Sequence, residues 1–522
     1  MAILGKSELV SNAAGRIVPE KVNGRAQTPY MGVGKYRPAG IKTAPPIRTA
    51  ADYPSNGDKR LPDLETALRK CGLRDGMVLS SHHHLRDGDR VALMALRAAG
   101  NLGLKDLMWF PSASFPSQRD AIALMEAGVI DHIEGSMNGP LGDYCTQGKM
   151  RGMGVLRSHG GRWQAIQDGD VHIDLAVIAA PTADPFGNCD GSHGKTACGS
   201  LGFALADSIY ADHVIVVTDN LVPFPCVPWQ IQGNNVDYVV EVDSIGDPSK
   251  IVSGTTQITR SPDRLRIADF VARFLRDAGI MHNGFSFQAG SGGIALAFVS
   301  YLKQMMKQAG VKARFVRGGS TKYLVELLEE GLTDYILDGQ TFDLDGVRSI
   351  AGNPRHVPTS PFTSYNYHGK GNFASMIDAV VLGATEVDLN FNANVVTHSD
   401  GRLLHGIGGW QNCLAARCTI LAVPSFRDRI PIIVDEVTTL CGPGELIDVV
   451  VTERGIAINP RRQDLIDAVK GSKLPVRPLA DIKKEVERIC GGKPAKPAHV
   501  DRPVAVVKWA DGTVLDTIWQ IG

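Results

Sequence analysis

Apolar positions along this chain recur in two alternating registers. Short β-branched runs, among them Asp174–Pro181 (DLAVIAAP), His213–Asp219 (HVIVVTD), Lys312–Gly318 (KARFVRG), Asp378–Leu389, Thr419–Ser425, Ile430–Val437 and Ile447–Ile458, read as buried strands. Between such runs, Ala92–Leu102, Arg266–Gly279 and Ile294–Gly310 carry apolar residues at helical spacing. The alternation predicts an α/β fold with mainly parallel sheets, since parallel strands need a crossover long enough to hold a helix. Residues 1–60 break the pattern. They are rich in Gly, Pro, Lys and Arg and read as an extended N-terminal arm, one that wraps a partner subunit or packs as coil on its own domain.

The pattern also repeats. Leu124–Gly135 (LMEAGVIDHIEG) returns as Leu327–Asp338 (LLEEGLTDYILD), offset by 203 residues, with Leu, Glu, Gly, Asp and Ile in register. Ahead of each copy lie a strand opened by Gly76 or Gly284, a long helix, and a second strand entered through Lys105 or Lys312. After each copy a strand begins at Asp174 or Asp378, offset by 204. We therefore expect two tandem α/β units, over residues 61–255 and 256–522, behind an arm of residues 1–60. Ligands of parallel sheets bind beyond the carboxyl ends of the strands, which places the expected cleft between the two units.

Composition narrows the function. The 522 residues hold 55 basic and 55 acidic side chains, a formal net charge of zero, which leaves no footprint for a phosphate-backbone binder. No apolar run approaches the roughly 20 residues that span a bilayer, and no signal-peptide pattern opens the chain, so a cytoplasmic protein is expected. The nine cysteines include no Cys-x-x-Cys pair; reduced thiols are expected, with neither a disulfide framework nor a metal site.

Candidate chemistry clusters in glycine turns. Gly290-Ser291-Gly292-Gly293 follows a strand and opens a helix, but the next strand ends in Arg317 where a dinucleotide site would want an acid. What remains is a helix N-terminus whose N–H groups suit an anion or a developing oxyanion. Gly406-Ile407-Gly408-Gly409 is a second such turn in the same half. Gly194-Lys195-Thr196 lacks the glycine and strand context of a phosphate loop. His82 and His83, in Ser80–His84 at the end of the first opening strand, are candidate hydrogen-bonders to a polycarboxylate; three consecutive histidines cannot all face one metal ion. Arg317, Arg402 and Lys322 are candidate carboxylate-binding cations, and Glu386 a candidate cleft carboxylate. Asp388 with Asn392, and Asp184 with Asn188, read as turn-formers.

QAGSGGIALAF (residues 288–298), EVDLNFNANVVTHSDGRLLHGIGGWQN (386–412), VTDNLVPFP (217–225) and IVDEVTTLCGPGELIDVVVTERGIAINPRR (433–462) resemble the coenzyme A transferase superfamily, most closely its citrate lyase α-subunit family, over most of the chain. The resemblance implies a transferase that exchanges acetate for citrate on an acyl-carrier-protein thioester. It implies a carrier (γ) subunit bearing a phosphoribosyl-dephospho-coenzyme A arm, a citryl lyase (β) subunit and a homo-oligomer as partners, and no cofactor bound by this chain. The backbone N–H groups at 290–293 and 406–409 suit that chemistry, and with the candidates above we expect Gly408, Gly409, Lys322 and Glu386 to serve catalysis and Gly290–Gly293, Gly406, Arg317, Arg402, His82 and His83 to bind substrate. One departure stands out: Lys322 occupies the place where many coenzyme A transferases carry a nucleophilic glutamate, so direct attack by citrate is favoured over a glutamyl intermediate. A transferase using free coenzyme A, and a sugar-phosphate isomerase or ligand-binding protein on a related scaffold, are the alternatives.

Overall fold

The computed structural model describes residues 9–38, 45, 47–252, 257–366 and 371–522. Two sheets dominate. The first has seven parallel strands, in the spatial order Arg60–Leu61, Tyr238–Glu241, His213–Thr218, Leu175–Ala180, Val78–Ser81, Leu107–Pro111, Ile130–Ile133. The second runs His356–Pro358, Thr333–Thr341, Ala313–Ser320, Ser286–Ala289, Ala379–Leu382, Thr419–Ala422, Val449–Thr452, Gly455–Ile458, parallel except for the hairpin that closes it. All six residues of Leu175–Ala180 are buried, which is why this strand reads as a continuous apolar run without alternation.

Both sheets are wound in the same order. From each opening strand, Val78–Ser81 or Ser286–Ala289, the next two strands add to one side and a later three to the other; the second sheet extends the two sides by His356–Pro358 and Gly455–Ile458. The ties between strands match as well. Asp174 accepts the Val78 N–H at 2.7 Å and Asp378 the Ser286 N–H at 2.8 Å. Asp184 and Asp388 each gather the N–H groups of a following turn, and Asn188 and Asn392 each donate back to that aspartate and accept from a distant glycine, Gly233 or Gly444. The turn-forming reading of these four residues holds.

The second sheet's helices Pro262–Asp277 and Gly293–Ala309 bury Val271, Phe274, Phe298 and Leu302 in one apolar cluster with Phe285 and Phe287. Gly293–Ala309 stops at Gly310, whose φ of +63° gives the left-handed cap that residues with a Cβ resist. The chain ends cross over. The C-terminal hairpin His499–Lys508 and Val514–Ile521 adds to strand Gly154–Leu156 of the first half. Part of the predicted arm packs onto that hairpin: Val18 and Val22 are buried with Val506 and Val514, and Asn12 donates to the carbonyls of Val514 and Leu515. Residues 1–8, 39–44 and 46 of the arm, and the expected boundary at 255/256, lie outside the described residues. Among the described residues no helix is long and apolar enough to cross a membrane.

Candidate functional site

Strand Ser286–Ala289 ends where the chain turns through Gly290, Ser291 and Gly292 into helix Gly293–Ala309. The neighbouring strand places Arg317 beside Gln288, its partner in the parallel register. Beyond these strand ends lies a cavity of ≈ 250 Å³, lined among others by Gln288, Ser291, Arg317, Tyr365, Gly409 and, from the first half of the chain, His159.

Arg317 is only 1% exposed. Its Nη1 donates to Gln288 Oε1 and to the Tyr365 hydroxyl, each at 3.0 Å, and its guanidinium lies 4.5 Å over the Tyr365 ring. Its Nε has no partner, and among the described residues no carboxylate lies within ion-pair reach. A buried guanidinium without a counter-ion is costly, and an anionic ligand removes that cost. No aspartate or glutamate is among the described residues that line the cavity.

The second glycine turn closes the opposite wall. The Gly408 carbonyl accepts the His159 N–H at 2.8 Å, and Asn412 Oδ1 accepts the Gly160 N–H at 3.0 Å, so the turn caps helix His159–Asp168. Among the described residues the N–H groups of Gly408 and Gly409 have no acceptor. Gly408 sits at φ +62°, and a Cβ at Gly409 would lie 2.8 Å from the Tyr365 hydroxyl. Both positions therefore exclude a side chain, one by conformation and one by space.

Several predicted residues have other surroundings. The Gly290 N–H is committed to the Val381 carbonyl at 3.1 Å; Ser291 lines the cavity, and the helix start has no side-chain cap. Gly293 packs on backbone, a Cβ there meeting Gln257 O at 2.8 Å, and Gly406 packs on Ser136. Lys322 is exposed at the start of helix Lys322–Glu329 and does not line the cavity; a lysine without a partner stays in water. Arg402 is likewise outside the cavity, 3.5 Å from Asp143. Glu386 is buried elsewhere, accepting from Asn394 Nδ2 at 2.9 Å and from the Thr438 N–H and hydroxyl at 2.7 and 3.0 Å. The histidine run is buried. His82 Nε2 lies 3.0 Å from Asp207, and His83 stands one layer behind the cavity, between Ser112 Oγ at 2.6 Å and Gln340 Oε1 at 3.2 Å. Burial, then the neighbouring His159, drives the His83 imidazole well below its ordinary range.

Sequence reasoning missed Gln288, Tyr365, Gln340, Cys413 and His159 as cavity residues. Gln288 was findable as the residue opposite Arg317 on adjacent parallel strands. Tyr365 comes from the short helix Pro361–Tyr365, which carries no periodic signal.

The sequence model of the family "Citrate lyase, alpha subunit" matches residues 58–521. The citrate lyase alpha chain of Klebsiella pneumoniae is 39% identical, over 95% of this chain and 96% of its own length, and that of Escherichia coli is 37% identical over 88% and 90%. A crystal structure of a citrate lyase alpha subunit from Streptococcus mutans, in complex with citrate, superposes with a TM-score of 0.91 at 38% identity, over 98% of this chain and all of the other. A 4-hydroxybutyrate CoA-transferase from Porphyromonas gingivalis shares the fold alone, with a TM-score of 0.53 at 16% identity. With its family model spanning nearly the whole chain, this protein belongs to the citrate lyase alpha-subunit family.

Proposed function

We propose that the chain exchanges acetate for citrate on the thioester of an acyl carrier protein, with the cavity between the two sheets as its active site. The observation that carries this reading is Arg317: a buried guanidinium with no carboxylate partner among the described residues, in a cavity that it lines together with Gly409, whose N–H lacks an acceptor among them. A citrate carboxylate satisfies Arg317. A second carboxylate oxygen attacks the acetyl thioester carbonyl, and the tetrahedral oxyanion takes the N–H groups of Gly408 and Gly409. Collapse breaks the C–S bond, giving a mixed citric–acetic anhydride and the carrier thiolate. The thiolate then attacks the citryl carbonyl and expels acetate, which restores a thioester and leaves no net proton transferred.

The direct route is supported by the cavity lining, which among the described residues offers no carboxylate nucleophile, while Lys322 stands outside. The reading extends to a carrier subunit bearing the phosphoribosyl-dephospho-coenzyme A thioester, a citryl lyase subunit, assembly with further copies of the chain, and a cytoplasmic setting. It also takes the two units as diverged copies, on the strength of their shared winding and matched aspartate ties.

The test uses the isolated chain with acetyl-carrier protein and labelled acetate. Label is expected to exchange only in the presence of citrate, and hydroxylamine is expected to trap no acylated glutamate. Citrate-independent exchange, or a trapped glutamyl adduct, would replace the direct route with a covalent one.

A further inference from the structure

We infer that His159 determines specificity in this exchange by hydrogen-bonding the substrate hydroxyl, the group that separates a hydroxy-polycarboxylate from its deoxy analogue. The inference rests on the exchange reading above and assigns a role to a residue of the first half that the glycine motifs do not include.

His159 lines the cavity, and its ring is held in place from several sides. Phe203 lies 4.4 Å away and His83 5.4 Å away, centroid to centroid, while the His159 backbone N–H is fixed to the Gly408 carbonyl. Among the described residues neither ring nitrogen has a hydrogen-bond partner. A Cβ built on Gly408 would lie 3.8 Å from His159 Nε2, so the imidazole stands beside the turn that we assign to the oxyanion.

The chemistry of the ring then selects the group it reads. Burial, and after it the nearby Arg162, holds the imidazole down to about 3, so it is neutral at working pH. A neutral ring brings one donor and one acceptor and no charge. The carboxylates have Arg317; a hydroxyl, also both donor and acceptor, is the complement of His159. Gln340, another polar cavity residue, is occupied at both ends, accepting from His83 Nε2 through Oε1 and donating to the His83 carbonyl through Nε2, each at 3.2 Å. General-base work is not required, because carboxylate attack and thiolate departure move no proton.

The experiment compares kcat/KM for release of labelled acetate from acetyl-carrier protein by citrate and by propane-1,2,3-tricarboxylate, which lacks the hydroxyl, using the full chain without a lyase subunit as wild type, His159→Leu and His159→Gln. Wild type is expected to prefer citrate by about 10- to 100-fold, the worth of one buried hydrogen bond. His159→Leu should bring citrate down to the level of the analogue and leave the analogue nearly unchanged; His159→Gln, which keeps a donor and an acceptor, should recover part of the preference. Equal losses on both substrates, or no loss on either, would overturn the assignment. A wild type inactive with citrate would instead sink the exchange reading, and calorimetric binding of the two acids to wild type and His159→Leu would then decide the role of His159 alone.

Discussion

Two buried arginines stand at the ends of the two opening strands, and the protein uses them in opposite ways. Arg162 reaches Ser80, the third residue of its strand, and Arg317 reaches Gln288, the third residue of the other. Arg162 is neutralised at once, its Nη1 and Nη2 each 2.7 Å from an oxygen of Asp207, which also takes Ser80 and stands beside His82. Arg317 meets only neutral groups, Gln288 and Tyr365. One half of the molecule has spent its strand end on an internal ion network, and the other has left it open to an anion. A paired buried arginine is structure; an unpaired one is a binding site in waiting.

Removing the counter-ion of the closed side should have the largest effect. Asp207→Ala leaves Arg162 buried and alone, and is expected to cost about 3–5 kcal/mol in chemical denaturation. Burial opposes the charge on Asp207, but Arg162 and then His82 overcome it and hold the carboxyl below its usual range. Its folded value thus lies under its unfolded one, so the stabilisation is complete above about pH 4 and drains away as pH falls further. Denaturation midpoints measured downward from pH 5 should fall more steeply in wild type than in Asp207→Ala, where other depressed carboxylates such as Asp338 and Asp237 still contribute.

On the open side the expectation inverts. Arg317→Met should lower kcat/KM for citrate by about 10²-fold and change stability by about 1 kcal/mol or less, because no ion pair is broken. A large stability loss with citrate turnover intact would erase the contrast between the two arginines. The glycine turns sharpen it further. Gly293→Val should cost about 1–3 kcal/mol by forcing a side chain onto Gln257, and exchange by the folded fraction should persist. Gly408→Ala, whose Cβ would make only ordinary contact with His159 but on a left-handed backbone, should cost about 1 kcal/mol in stability and disturb exchange more than Gly293→Val does. Lys322→Ala should do least, within about 0.5 kcal/mol in stability and with kcat/KM unmoved, since the side chain is exposed.

Much of this was legible beforehand. The α/β class followed from period and length, the matched aspartates from the spacing of Asp174 and Asp378, and Arg317 from its place at a strand end where an acid was missing. Lys322, five residues further on, looked equally cationic, yet the chain turns into a helix there and sends it to the surface. Glu386 read as a cleft carboxylate because it ends a buried strand, but its oxygens are consumed by Asn394 and Thr438, the latter 52 residues downstream.

The sequence by itself determined the elements and their order, because hydrophobic period and glycine conformational freedom act within a few residues. Tertiary structure alone decided which polar groups are satisfied. Whether Arg162 or Arg317 keeps an unanswered charge depends on Asp207, Gln288 and Tyr365, brought together across tens of residues, and His159 meets Gly408 only because the two halves close on each other. The cost of a buried charge is set by what surrounds it in space, and neighbours along the chain say nothing of that.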